Sequence, residues 1–239
     1  MSDQSSASFA PWQNAGYCHC CRSKTNFKAY GEWLRDMYLC ERCGSIPRQR
    51  NIQYVLDTFF PGWESKKIHE SSPSADFIAQ VAKRYTSSQY FPGVAAGTTY
   101  RGIRCENLER LTFPSDSLDI FITQDVLEHV FKPDVALKEV HRVLKKGGFH
   151  IFTTPKHRGL PKSYVRALMN DDGTVNYVLP AEYHGNPIGD GRALVTWDYG
   201  SDFDTQLSHW ALATVCTFST VDRSLGIDDQ YNEVFVIRK

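Results

Sequence analysis

Four cysteines carry the first chemistry legible in the chain. Cys18-His19-Cys20-Cys21 and Cys40-Glu41-Arg42-Cys43 form two C-x2-C pairs with 18 residues between them. Two thiolates three residues apart can reach one metal from a tight knuckle, and a second knuckle completes a tetrahedron. The spacing points to a structural zinc ion on Cys18, Cys21, Cys40 and Cys43, with no coordination position left open. Cys20 and His19 are alternative donors, because the first knuckle offers four candidates in a row. Five of the seven cysteines fall within residues 18–43. In a reducing compartment such clustering implies metal binding rather than disulfides. Cys105 and Cys216 fall on predicted strands and read as buried packing residues.

A scaffold must position such a site. The 239 residues suffice for one α/β domain and a small appendage. With 41% hydrophobic and 23% charged residues, the composition is that of an ordinary globular protein. Basic and acidic residues both number 27, so the net charge is zero. That balance argues against a nucleic-acid partner, which is gripped through its phosphates by a basic excess. No apolar run approaches the ~20 residues that span a bilayer. Met1 to Ala10 lack the basic start and apolar stretch of a signal peptide. The expectation is a cytoplasmic protein with no membrane partner.

Residues 1–16 read as a flexible tail and 17–46 as the zinc knuckle. Residues 47–60 read as a helix, with Pro47 at its first position and Ile52, Val55, Leu56 and Phe59 on one face. The chain then alternates. Residues 67–70 suggest a strand, 74–85 a helix, 88–91 and 101–105 two further strands, and 118–123 a strongly apolar strand. A helix follows over 133–146, stopped by Gly147-Gly148, and then a strand over 149–153. Residues 156–200 break this rhythm and read as an insertion or lid. A helix over 202–213 and strands over 214–221 and 232–238 close the chain. Strands separated by helices imply a mostly parallel sheet, doubly wound, in an α/β fold.

Residues 111–155 are the most informative stretch: an LTFP turn, a strand ending in Gln124-Asp125, then Val126-Leu127-Glu128-His129, a helix closing on Arg142-Val143-Leu144-Lys145-Lys146-Gly147-Gly148, and another strand. The run resembles the second half of the class I S-adenosylmethionine (SAM)-dependent methyltransferase core. With the cysteine-rich start, Arg48 and Arg50 in the following helix and the Glu70-Ser71-Ser72-Pro73 loop, the chain resembles a subset of that family with an N-terminal four-cysteine zinc knuckle. The resemblance spans residues 18–239. It implies a Rossmann-like fold with a seven-stranded sheet, a catalytic domain over 47–239, and SAM bound outside the carboxyl ends of the strands.

Residue by residue, the resemblance places the cofactor on Glu70, Ser71 and Ser72 after the first strand and on Gln89 and Tyr90 after the second. Asn107 and Leu108 serve after the third strand, Gln124 and Asp125 after the fourth. Three positions depart from the family pattern. The first loop has no glycine, so the backbone approach to the methionine moiety falls to hydroxyls and to amides of a helix starting at Ser74. Gln89 stands where an acidic residue normally holds the ribose, and Asn107 replaces an Asp opposite the adenine.

The acceptor would meet the insertion, through Tyr164, Arg166, Glu182-Tyr183-His184-Gly185-Asn186-Pro187 and Trp197. His184 suits a base near neutral pH, Tyr183 and Trp197 a sulfonium or apolar group, and Arg166 a carboxylate. His129 points to the mouth of the site, and Arg48 and Arg50 are candidate partners of the SAM carboxylate. The leading expectation is methyl transfer to a small molecule by in-line displacement. Besides a non-enzymatic zinc-stabilised binding module, two enzymatic alternatives remain. One is a SAM enzyme that cyclises or transfers the aminobutyrate group and releases methylthioadenosine. The other is a zinc-module RNA methyltransferase drawing on Arg22, Lys24, Lys28, Arg35, Arg42, Arg48 and Arg50.

Overall fold

In a computed structural model describing residues 9–186 and 191–239, the chain divides into two compact units. The first comprises residues 1–61 and 219–232, the second 62–218 and 233–239. Pro187, expected to line the acceptor side, lies outside the described residues.

The first unit is built on an antiparallel sheet of β1 (Trp12–Cys18), β2 (Ser23–Ala29) and β3 (Tyr38–Cys40). Trp12 to Gly16, expected in a tail, are therefore strand. Their polar alternation in WQNAGYC suits a sheet with one wet face. Helix α1 (Pro47–Phe59) begins at Pro47, and Gln49 Oε1 accepts the Ile46 N–H at 3.1 Å. The boundary expected at residue 47 moves to 61 because α1 packs by its polar residues inside this unit. Arg50 donates to the Gly226 and Tyr38 carbonyls, both at 2.8 Å, and Asn51 Nδ2 to the Asn232 carbonyl at 2.5 Å. Gly16 is required by a close approach. A Cβ there would sit on the Ser224 carbonyl oxygen and 2.8 Å from the Phe27 ring. Gly16→Ala is expected to cost about 1–3 kcal/mol, readable as a lower urea midpoint.

The second unit holds a six-stranded sheet. Its strands are β4 (Lys67–Ser71), β5 (Arg84–Ser88), β6 (Leu118–Gln124), β7 (Leu144–Thr153), β8 (Val215–Ser219) and β9 (Glu233–Arg238), in the order β8-β9-β7-β6-β4-β5. β5, β4, β6 and β7 are parallel, and β9 runs antiparallel to β7. β6 is buried along almost its whole length, as a central parallel strand must be. Helix α2 (Pro133–Val143) crosses from β6 to β7, and α3 (Phe203–Ala211) precedes β8. Leu137 of α2 and Phe203, Leu207 and Ala211 of α3 share a core with Phe152, Phe235 and Ile237. Ala136, Val140 and Val143 pack with Leu111, Leu118 and Phe121.

Several expectations change here. The helix over 74–85 is absent. Residues 73–82 wind through turns, with Gln80 N–H bonded to Asp76 O and Ala82 N–H to Ile78 O, both at 2.9 Å. The second strand is Arg84–Ser88, on the sheet edge. Six strands replace the expected seven among the described residues. The strand over 101–105 shrinks to a Thr99–Tyr100/Ile103–Arg104 hairpin and one parallel bridge, Gln89 to Cys105. Arg101 and Gly102, both at positive φ, turn the chain there. α2 also ends at Val143 rather than at Lys146, because β7 starts at once and runs through Gly147-Gly148. Among the described residues, no helix is long and apolar enough to cross a membrane.

Candidate functional site

The four cysteines converge. Their sulfurs lie within 4.8 Å of one another, with Cys18 to Cys43 at 3.8 Å and Cys21 to Cys40 at 3.9 Å. Thiolates about 2.3 Å from a zinc ion stand about 3.8 Å apart at the corners of a tetrahedron, so the donor set fits. The hydroxyls of Ser23 and Ser45 stand 3.2 Å from the Cys21 and Cys43 sulfurs, as partners for thiolates. The alternative donor His19 is engaged elsewhere, its Nδ1 lying 2.8 Å from Asp57 Oδ2. Cys105 is buried as expected, but Cys216 is exposed, because alternate residues of an edge strand face outward.

Strand order in the second unit reverses between β4 and β6, the place where open α/β sheets bind ligands. Parallel register brings Ser71 beside Thr123 and Ser88, and Gln124 beside Thr153. Gln124 Nε2 donates to Glu70 Oε1 across the switch point at 2.8 Å, and Tyr85 Oη donates to Glu70 Oε2 at 2.8 Å. Ser72 and Asp125, both at positive φ, end β4 and β6 in sharp turns. Ser72 N–H binds Ser88 O at 2.8 Å, and Thr153 Oγ1 donates to Asp125 Oδ1 at 2.8 Å. Glu70, Ser71, Ser72, Gln124 and Asp125 thus share one edge. With the 74–85 helix absent, no helix N-terminus at Ser74 contributes.

The expected ribose and adenine residues gather beside β5. Gln89 O accepts from Glu106 N–H at 3.0 Å, which brings Asn107 near Gln89. Tyr90 is exposed. Asn107 Oδ1 already accepts the Glu109 N–H at 2.8 Å. Leu108 is buried in the core with Leu111 and Phe121, so its side chain packs rather than lining a cofactor.

Burial pushes the Glu70 carboxyl from its ordinary 4.5 up to about 7. The folded chain therefore holds a proton that the unfolded chain releases. Glu70's contribution to stability is complete below pH 4.5 and is lost as pH rises to about 7. Between pH 5 and pH 8, the stability of Glu70→Gln relative to the parent is expected to rise by on the order of 2–3 kcal/mol. Urea unfolding at both pH values reads this directly.

A second polar cluster stands next along the same edge. Glu128, in the turn Leu127–His129 after β6, is 1% exposed. Its Oε2 accepts from Thr154 Oγ1 at 2.9 Å, while its Oε1 is buried without a hydrogen-bond partner. His129 Nε2 and His184 Nδ1 approach that oxygen to 3.7 and 3.8 Å. His184 sits on the hairpin Tyr183–Gly185/Arg192–Leu194, fastened by His129 Nδ1 donating to Leu194 O at 2.8 Å. The neighbouring Glu128 carboxylate raises the His184 pKa above its ordinary 6.5. His129 and His184 are thus brought together, while Tyr183 is exposed beneath Arg192. The sequence reading noted Glu128 only as His129's neighbour. Its pairing with Thr154 and His184 depends on contacts far apart in the chain.

Other candidates are already engaged. Arg166 bonds Asp198 at 2.6 Å and Glu182 at 3.0 Å, so it braces the insertion rather than waiting for a substrate carboxylate. Trp197 packs on Trp210 and Tyr199. Tyr164, in a short strand beside it, is exposed. Arg50 is fully buried, its guanidinium bonded to the Gly226 and Tyr38 carbonyls. Of the proposed basic patch, Arg22 pairs with Asp57, Arg35 is buried against Asp229, and Arg48 lies 3.7 Å from Asp36.

Residues 58–152 match the methyltransferase domain family model. The chain is 34% identical over 85 residues to a probable S-adenosylmethionine-dependent methyltransferase of Mycolicibacterium smegmatis, covering 34% of this chain and 33% of that one. It is 25% identical over 182 residues to another from Mycobacterium tuberculosis, covering 66% of this chain and 65% of that one. The chain thus spans between a third and just under two thirds of these relatives' length. Among solved structures, an S-adenosylmethionine-dependent methyltransferase from Mesorhizobium loti superposes with a TM-score of 0.50 at 15% identity, covering 79% of this chain and 98% of that one. That likeness establishes the fold as the class I methyltransferase fold.

Proposed function

We propose, for a chain that carries a class I SAM-dependent methyltransferase domain, that it moves the SAM methyl group onto a small-molecule acceptor by in-line displacement. The observation that carries the reading is the Glu70–Gln124 bond at the switch point, with Ser71, Ser72 and Asp125 around it and the methyltransferase match running through both strands. SAM would lie along the carboxyl ends of β4 and β6, its nucleoside towards Gln89, Tyr90 and Asn107. In this reading the four cysteines hold a structural zinc ion, and the chain works in the reducing cytoplasm.

The acceptor would sit against Glu128, His129, Tyr183 and His184. Bound SAM would supply an electrophilic methyl group to an attacking acceptor and leave as S-adenosylhomocysteine when its sulfonium C–S bond breaks. The acceptor's proton would pass to the His184 imidazole, which Glu128 would steady. His184→Asn is then expected to lower kcat by about 10²-fold with SAM affinity unchanged. A small-molecule acceptor is favoured over RNA because Arg22, Arg35, Arg48 and Arg50 are committed to internal partners or burial.

The test incubates the zinc-replete chain with SAM and hydroxyl-bearing small molecules and identifies the nucleoside product by mass. S-adenosylhomocysteine is expected. Methylthioadenosine would overturn the methyl assignment in favour of aminobutyrate chemistry.

A further inference from the structure

We infer that Glu128, His129 and His184 form a second metal site, separate from the four cysteines, that takes a divalent transition-metal ion. A buried carboxylate oxygen without a hydrogen-bond partner marks the place. Leu194 O can only accept, so His129 Nδ1 carries the hydrogen of their 2.8 Å bond. His129 Nε2 faces the other way, 3.7 Å from Glu128 Oε1. Glu128 Oε1 is that oxygen, an acceptor buried and without a donor. His184 Nδ1 stands 3.8 Å from the same oxygen. Two imidazole nitrogens thus converge on a buried carboxylate oxygen that has no hydrogen-bond partner, an arrangement that is costly unless positive charge fills it.

The outer partners are those of a metal site. A metal-bound imidazole typically donates its other N–H to a carbonyl, as His129 does to Leu194. The second oxygen of a ligating carboxylate is typically hydrogen-bonded, as Glu128 Oε2 is by Thr154. The three ligand atoms lie within 4.8 Å of one another. An ion about 2.0–2.2 Å from each spans such gaps with sub-ångström adjustment, and His184 rides on a half-exposed hairpin that can supply it. Two imidazoles and one carboxylate suit zinc or iron(II) and leave positions open. Water or an acceptor oxygen would occupy them, so the acceptor class becomes a hydroxyl- or carboxylate-bearing molecule. The inference rests on the acceptor-side reading and refines it: in the metal-loaded state the ion, rather than a free His184, meets the acceptor.

The experiment titrates Co2+ into the full chain carrying one equivalent of zinc, without SAM or acceptor, and follows visible absorption and metal content. The expected result is one additional Co2+ per chain, with weak d–d bands and no thiolate-to-cobalt charge transfer. Glu128→Gln and His184→Asn are each expected to weaken binding at least about tenfold while the circular dichroism and melting curve hold. No additional Co2+, or binding that both folded variants leave unchanged, overturns the site. Because SAM takes no part, failure here is distinct from failure of the methyltransferase reading.

Discussion

Cys40→Ser is expected to release the zinc ion and unfold β1–β3 with it. The sheet buries few side chains of its own, chiefly Phe27, Ala29 and Tyr38, since β1 and β2 alternate between intermediate and exposed positions for most of their length. Metal binding in small four-ligand modules contributes about 10–16 kcal/mol, whereas whole domains are stable by about 5–15 kcal/mol. A serine hydroxyl is a poor zinc ligand at neutral pH, so the loss is nearly complete. Native mass spectrometry should show one zinc fewer in the variant than in the parent. Hydrogen exchange should show loss of protection across residues 12–61, with β4, β6 and β7 protected as before. Unchanged protection of β1–β3 would show that the cysteine cluster is not structural.

Arg50→Ala is the second large effect. Arg50 is 0% exposed. Its guanidinium stacks over Phe27 and Tyr38, 4.8 and 5.3 Å from the ring centroids, and binds the carbonyls of Tyr38, Gly226 and Ser45. Alanine removes the charge and its donors together, leaving three carbonyls short of partners and a cavity between two rings. The expected cost is about 3–5 kcal/mol. Arg50→Lys should rescue little, because one ammonium cannot reproduce a planar fork that reaches separate carbonyls. Four thiolates around a divalent ion carry a net charge of −2, so the alanine variant should also lose zinc more readily to a chelator. Denaturant unfolding and chelator competition measure the two consequences.

Elements whose side chains see one environment were the legible ones. The continuous apolar run of β6 and the helical spacing in α1, α2 and α3 placed each within a few residues. Residues 74–85 misled because Phe77, Ile78 and Val81 keep helical spacing while winding through separate turns. β5 was missed because an edge strand alternates exposure, and RYTSS carries no apolar run. The cysteine cluster was legible because its ligands pair locally. At the switch point, Glu70 and Gln124 were each legible from their strand ends, but not their bond, which joins residues 54 apart. Arg50 was visible only as part of a motif. Its role depends on Gly226, which returns from the far end of the chain.

Calorimetric titration of the folded, zinc-replete chain with S-adenosylhomocysteine tests the central claim most directly. One molecule is expected to bind per chain, with affinity lost when Asp125 at the end of β6 is changed to alanine. A folded chain that takes up neither S-adenosylhomocysteine nor SAM would contradict the account.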